Sequence, residues 1–232
     1  MSGKGSGVLR AGLWGGGIAI LVCGLLVAVG YYLRSPESPF SSPSPDNVLL
    51  VIASPAPDGA ATAGLIGTVA GGRLTDVDPE TTVTIPGTSS SKLGDAYTFG
   101  GGAGVVAAAQ GQLGSGSLAY VAVPQATWGA AVTRAGGARV TLPDAMAVFD
   151  GTTLTTLSPG QQTLDATQVA AVVRGLSYLP VADRQALRAA LLQGVSAALA
   201  TTPGVASEVQ SDLPAKTLDE WLTDTLLKAA GR

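Results

Sequence analysis

Histidine is absent from all 232 residues, which removes imidazole bases, histidine-containing triads and the usual zinc sites together. Cysteine occurs once, as Cys23, so no intrachain disulfide staples the fold. Aromatic residues make up 5% of the chain and charged residues 12%, so packing falls to small apolar side chains rather than rings. A net charge of -3 gives no overall attraction to nucleic acid, which is excluded as a partner. What is plentiful is glycine, 32 residues, in a chain that is 46% hydrophobic. The length suits one ordinary folded unit plus an anchor.

The anchor is Leu13 to Leu33, LWGGGIAILVCGLLVAVGYYL, which is uncharged and long enough as a helix to cross a hydrocarbon layer of roughly 30 Å. It predicts one transmembrane helix at 13–33 behind a short cytoplasmic tail, 1–12. Lys4 and Arg10 keep the amino terminus in the cytoplasm, although Arg34 weakens the contrast, and Trp14, Tyr31 and Tyr32 suit the two interfaces. The run exceeds a typical signal-peptide core of roughly 7–15 residues, which favours an uncleaved anchor over cleavage after Ala28-Val29-Gly30. Cys23 reads as membrane-buried rather than lipidated, because Val22 before it is large. SPESPFSSPSPD, Ser35 to Asp46, disfavours helix and sheet alike. The linker is therefore 34–46, and the extracytoplasmic domain 47–232.

Within that domain, NVLLVIAS (Asn47 to Ser54) is a wholly apolar run of the kind a central strand covered on both faces requires, and GLIGTVA (Gly64 to Ala70) is a second. Arg73 to Val77 and Thr82 to Ile85 are shorter strand candidates, split by Asp78-Pro79-Glu80 and ended by Pro86-Gly87. Ala103 to Leu113 has helical composition; Leu118 to Val123 predicts a strand, Thr127 to Ala135 a helix, and Ala138 to Leu142 a return to the sheet. Strands alternating with helices argue α/β. Near the end, Thr217-Leu218-Asp219-Glu220 predicts a capping box opening a last helix with Trp221, Leu222, Leu226 and Leu227 on its apolar side.

The strongest punctuation lies in Gly160 to Gln185, GQQTLDATQVAAVVRGLSYLPVADRQ. Asp165 caps a helix whose Gln168 reaches back to the cap amide, and Leu164 with Val169 forms a hydrophobic staple. Arg174 falls in the last turn, where a cation suits the dipole, and Gly175 ends the helix. Pro180 opens a second helix with Val181, Leu187, Leu191, Val195 and Leu199 near helical spacing. Arg174 and Arg184 thus flank one turn.

This stretch resembles the late part of a LytR-CpsA-Psr domain, where G-x-Q-x-L-x-x-x-Q-A leads to a V-R helix end and then to an R-Q pair. Ser91 to Gly101, SKLGDAYTFGG, is similar to that family's K-L-N-x-A-Y-x-x-G-G, Ala135 to Val140 to its L-G-G-V-x-V, and Val209 to Leu213 to its V-x-T-D-L tail, in the same order. The resemblance implies a three-layer α/β/α sandwich preceded by the transmembrane helix. It also implies the chemistry of such proteins, transfer of a glycopolymer from a polyprenyl-pyrophosphate carrier to peptidoglycan. That chemistry needs cations at the pyrophosphate, a metal ion with acids to hold it, and an apolar slot for the lipid.

By motif, Arg174, Arg184, Gln185 and Lys92 are the phosphate- and lipid-binding candidates, and Glu80 is the one retained acid for a metal, magnesium if the activity is kept. Two guanidiniums across a turn would clamp a phosphate. The plainer alternatives are a helix-end cation for Arg174, an ion pair with Asp183 for Arg184, and an exposed strand-end lysine for Lys92. Gly100 to Gly104 is either a tight loop or a phosphate cradle at a helix start. Asp95, Asp144, Asp150 and Asp183 are expected to be mostly solvated.

The departures from the family pattern are as informative. Pro79 stands where an arginine belongs, Ala53-Ser54-Pro55 replaces an acidic or arginine-bearing loop, and Leu176 and Val181 replace two further arginines. The expectation is a degenerate, single-pass cell-envelope protein, of actinobacterial kind from its alanine and glycine richness, with no assigned catalytic residue. It would bind polyprenyl phosphate or pyrophosphate lipid, or partner an active ligase. An active phosphotransferase acting on peptidoglycan and a structural adaptor for another envelope protein are the alternatives.

Overall fold

The first strand, β1 (Asn47–Pro55), is apolar from end to end because it is covered on both faces. Val48, Leu50 and Ile52 enter one apolar cluster and Leu49 and Val51 another, as the two-residue strand period dictates. The computed structural model describes residues 47–55, 60–113 and 118–231, all within the compact unit Pro43–Arg232. The transmembrane helix read at 13–33 and the linker at 34–46 lie outside those residues. Among the described residues no helix is long and apolar enough to cross a membrane.

β1 pairs with β2 (Ala61–Ala70), which turns through Gly71 and Gly72, both at positive φ, into β3 (Arg73–Val77). On its other side β1 runs parallel to β4 (Ala119–Val123), and a two-residue β9 (Gln210–Ser211) closes the order β3-β2-β1-β4-β9. Only β1/β4 is parallel; the other pairs in this sheet are antiparallel. Helix α1 (Ala96–Leu113) covers the face of Leu49 and Val51. Helices α2 (Gln125–Arg134), α3 (Ala166–Gly175) and α4 (Val181–Thr201) cover the other. The result is a mixed α/β fold with helices on both faces of the sheet.

Several local expectations need correction. Thr82 to Ile85 is not a strand: only Thr82 bridges to Lys92, while Val83 N–H donates to Ser91 and Leu93 N–H to Thr81, so the segment folds back on itself between Pro79 and Pro86. Ala138 to Leu142 does form a strand, β5, but it pairs with β8 (Gly160–Leu164) outside the main sheet. The hairpin β6 (Met146–Phe149) and β7 (Leu154–Leu157) is a further element that composition alone does not announce.

The terminal helix starts earlier than its expected capping box. Pro214 precedes α5 (Ala215–Glu220), which places Thr217 inside the helix. The chain continues through a π-helical turn, Trp221–Leu226, to α6 (Leu227–Ala230), and that wider winding leaves Leu227 42% exposed instead of on the apolar side. Val181 is likewise exposed, at the mouth of α4, whereas Leu187, Leu191, Val195 and Leu199 are buried as their spacing requires.

Candidate functional site

The carboxyl end of β1, the loop after β3, the end of α3 and the start of α4 meet around a cleft of about 290 Å³. A bulge shapes its floor. Ile52 faces Leu65 but Ala53 faces Ala63, so Gly64 is the extra residue that re-aims both strands. A Cβ on Gly64 would lie 2.5 Å from Val173 Cγ1 and 2.8 Å from Ser54 Cβ. Glycine is what lets β2 pass beneath α3 at this point.

Four cations line the cleft: Lys92, Arg174, Arg184 and Arg188. Three of them are engaged with acids. Arg188 is 3% exposed; its Nε donates to both carboxylate oxygens of Asp76 at 2.8 Å, its Nη2 to Asp76 Oδ2 at 2.6 Å, and its Nη1 to Asp78 Oδ1 at 2.8 Å. Burial opposes its charge, but the hydrogen bond and charge of Asp76, helped by Asp78 and Glu80, prevail and raise its pKa above the ordinary arginine value. Lys92 Nζ meets Glu80 Oε2 at 2.7 Å, and that bond raises the lysine's pKa against a partial burial penalty.

Arg174 Nη2 donates to Asp150 Oδ2 at 2.7 Å. Asp150 sits at the β6–β7 turn, where its Oδ1 accepts from Thr152 N–H at 2.9 Å and Thr153 N–H at 2.7 Å. Those bonds, Thr153 foremost, then Arg174 and Thr152, hold its carboxyl down to about 2. The expectation that Asp150 is solvated fails, because its side chain is 6% exposed and fully bonded. Asp144 and Asp183 are exposed as expected.

Arg184 is different. Its Nη2 donates to the Leu179 carbonyl at 3.4 Å, and its Nε is buried with no partner among the described residues. Among the described residues it makes no ion pair, with Asp183 or any other acid.

Arg174, Arg184, Lys92 and Glu80, singled out from the sequence, therefore share one cleft, whereas Gln185 is exposed and does not line it. Arg188 escaped the sequence reading, although a cation inside the Leu187–Leu191–Leu192 stripe is a visible signal. It brings a guanidinium from α4 to the loop that has Pro79 in place of an arginine. The glycine run lies elsewhere. Gly101 breaks α1 with φ 58°, and a Cβ on Gly102 would overlap the Tyr120 ring, so close approach to β4 accounts for it rather than a phosphate cradle. A second cavity, about 580 Å³, opens between α2 and α3; Ala126, Gly129, Ala166 and Ala170 line it together with Gln125, Trp128 and Thr167, and Arg174 borders both cavities.

The acids do not fit a magnesium site. Asp78 already accepts from Arg188 and from Glu80 N–H at 3.0 Å, and Glu80 is tied to Lys92. Among the described residues no group of three or more histidine, cysteine, aspartate or glutamate side chains is placed to hold a metal ion.

No protein-family model matches the chain. No curated protein matches it either. Solved structures do. A LytR-Csp2A-Psr enzyme from Actinomyces oris aligns with TM-score 0.58 and 18% identity over 82% of this chain and 79% of its own. TagT bound to LIIa-WTA aligns with TM-score 0.54 and 18% identity over 82% of both chains. A protein from Enterococcus faecalis described as a transcriptional regulator aligns with TM-score 0.55 and 20% identity over 80% of this chain and 73% of its own. At such identities the likeness speaks for fold, and it agrees with the family that the sequence motifs resemble and with the mixed α/β class. This chain carries a domain of the LytR-CpsA-Psr fold.

Proposed function

We propose that this is a cell-envelope protein whose LytR-CpsA-Psr-type domain binds a lipid-linked phosphate but has lost most of the transferase site. The observation that carries the reading is the position of Arg174, between a cleft holding Lys92, Arg184 and Arg188 and a second, more open cavity whose lining mixes Ala126, Gly129, Ala166 and Ala170 with Gln125, Trp128 and Thr167. Arg184, which no carboxylate engages among the described residues, meets a phosphate oxygen with Arg174 beside it, and the second cavity takes the start of an isoprenoid chain along its alanine and glycine side. The cleft's acids Asp78 and Glu80 are tied up by Arg188 and Lys92 and do not suit a metal, so the metal-assisted transfer is lost. The chain's uncharged 13–33 segment anchors it in the membrane, with the domain outside the cytoplasm.

An exposed apolar cluster beside the cleft favours a partner-binding role as the second reading. Phe149 and Tyr178 lie 6.0 Å apart between ring centres, and Leu154 is 62% exposed. The deciding experiment is a thermal melt of the full chain in detergent, titrated with short-chain polyprenyl phosphate and pyrophosphate, beside an Arg174→Ala, Arg184→Ala double variant. A saturable rise confined to the unmutated protein supports lipid-phosphate binding. No rise in either protein moves the function to the partner surface.

A further inference from the structure

The large apolar side chains that this domain leaves in water are not scattered. Among the described residues six are exposed, and four of them, Phe149, Leu154, Tyr178 and Val181, sit on two neighbouring turns, each 45 to 62% exposed. Phe149 and Leu154 are cross-strand partners in the β6–β7 hairpin. The Phe149 ring stands 6.0 Å from that of Tyr178, in the turn between α3 and α4, and Val181 is the first residue of α4. Exposed apolar residues scattered singly need no explanation, but a cluster marks a contact surface.

The patch is seated firmly and carries no net charge. Val148 and Leu157 of the hairpin are buried, and Gly175 lets the hairpin press on α3: a Cβ there would overlap Val148 and lie 2.8 Å from the Phe149 carbonyl oxygen. Asp150 is the one charged residue from Met146 to Leu157, and Arg174 pairs with it at 2.7 Å, while Leu176 to Ala182 carries no charge. The flanking Asp144, Asp183 and Arg184 make no basic surplus, so anionic headgroups are not what the patch selects.

Four side chains are few for a stable protein interface, which takes roughly 20–30 residues a side. They suffice for a surface to which the chain is already tied, because tethering raises the effective concentration. With 13–33 as a membrane anchor, that surface is the bilayer, and exposed phenylalanine, leucine and tyrosine suit its headgroup level. The tether is long enough. Leu176 and Ser177, just before Tyr178, line the cleft at the carboxyl end of β1, whereas the linker joins the amino end at Asn47. The strand spans roughly 27 Å, and a proline-rich linker at 34–46 reaches about 40 Å.

We propose that Phe149, Leu154, Tyr178 and Val181 form a membrane-docking face that lays the mouth of the cleft against the outer surface of the bilayer anchoring the chain. The proposal rests on the anchor reading and goes beyond it, since an anchor alone leaves the domain's orientation free. Docking places the cleft where a lipid-borne headgroup reaches it without crossing water.

The test uses the full chain reconstituted in phosphatidylcholine vesicles, with Cys23→Ser removing the native thiol. An environment-sensitive fluorophore is attached through Thr156→Cys, exposed on the hairpin, or through Arg73→Cys, beside the amino end of β1. The expected result is blue-shifted emission from the Thr156 position and strong quenching of it by lipid carrying a nitroxide on its acyl chain, with neither at Arg73. Phe149→Thr with Tyr178→Ser should lower the docked-to-free ratio about tenfold or more, for two rings no longer buried in lipid, and high salt should leave docking unchanged. Val181→Ser, on the separate α4 turn, should weaken docking in the same direction, so the assignment does not hang on the hairpin variant alone. A Thr156 probe that stays in water while the chain floats with the vesicles overturns the docking, leaves the anchor standing and gives the patch to a protein partner. Quenching at Arg73 instead, loss of docking in high salt, or variants without effect overturn it as well. A chain that does not float with the vesicles overturns the anchor reading, and the docking with it.

Discussion

Replacing Arg188 by methionine is the sharpest perturbation this fold offers. The methionine keeps most of the aliphatic stem and removes the guanidinium, so packing changes little and the electrostatics change a great deal. Arg188 is 3% exposed and Asp76 16%. Three donor contacts to Asp76 and one to Asp78 vanish together. Breaking a fully buried pair from one side costs roughly 3–5 kcal/mol, because the remaining charge is left without compensation. Partial access of water to Asp76 lowers that to about 2–3 kcal/mol, and Asp78, at 35% exposed, adds little.

For a domain of this size each kcal/mol moves the melting temperature by roughly 2–4 °C, so Arg188→Met should lower it by about 4–12 °C. Circular dichroism melts of the full chain in detergent measure this directly. A second step isolates the cause: adding Asp76→Asn to Arg188→Met removes the stranded charge and should recover a good part of the loss. If Arg188→Met lies within about 0.5 kcal/mol of the unmutated protein, or if the double variant is no better than the single one, the ion pair does not hold the β3 loop and the reasoning fails. Because Asp78, Pro79 and Glu80 form one wall of the cleft, Arg188→Met should also weaken phosphate binding below its melting temperature.

Three further outcomes follow from the same geometry. Asp150, with a folded pKa near 2 against roughly 3.9 in an unfolded chain, contributes stability that is fully present above about pH 4 and is lost as pH falls toward 2; acid unfolding of Asp150→Asn should therefore differ from the unmutated protein by a constant amount above pH 4 and converge with it below. Gly64→Ala forces its methyl against Val173 and Ser54, so a loss of about 1–3 kcal/mol in denaturant titration is expected, and a neutral result would mean the bulge relaxes freely. Asp165→Ala removes half of a capping box and should cost about 0.5–2 kcal/mol, read by the same titration.

The sequence was a good guide wherever the physics is local. Asp165 and Gln168 form both halves of their capping box, at 2.8 Å and 2.9 Å, because a cap is decided within four residues. It misled at Thr217, where an equally good cap pattern was overruled by Pro214 three residues earlier. The stripe Leu187, Leu191, Val195 and Leu199 was legible from helical spacing, while Arg188 within it was not assigned a role, since its partners lie 110 and 112 residues away.

Composition and spacing by themselves determined that histidine chemistry is excluded, that β1 is a two-faced central strand, that α3 is capped by Asp165, and that Arg174 and Arg184 flank one turn. The order of strands, the separation of β5 and β8 from the main sheet, the Asp150 turn that engages Arg174, and the meeting of Lys92, Arg174, Arg184 and Arg188 around one cleft were settled only by folding. Each depends on pairs far apart in the chain, where packing chooses among partners that local sequence leaves open.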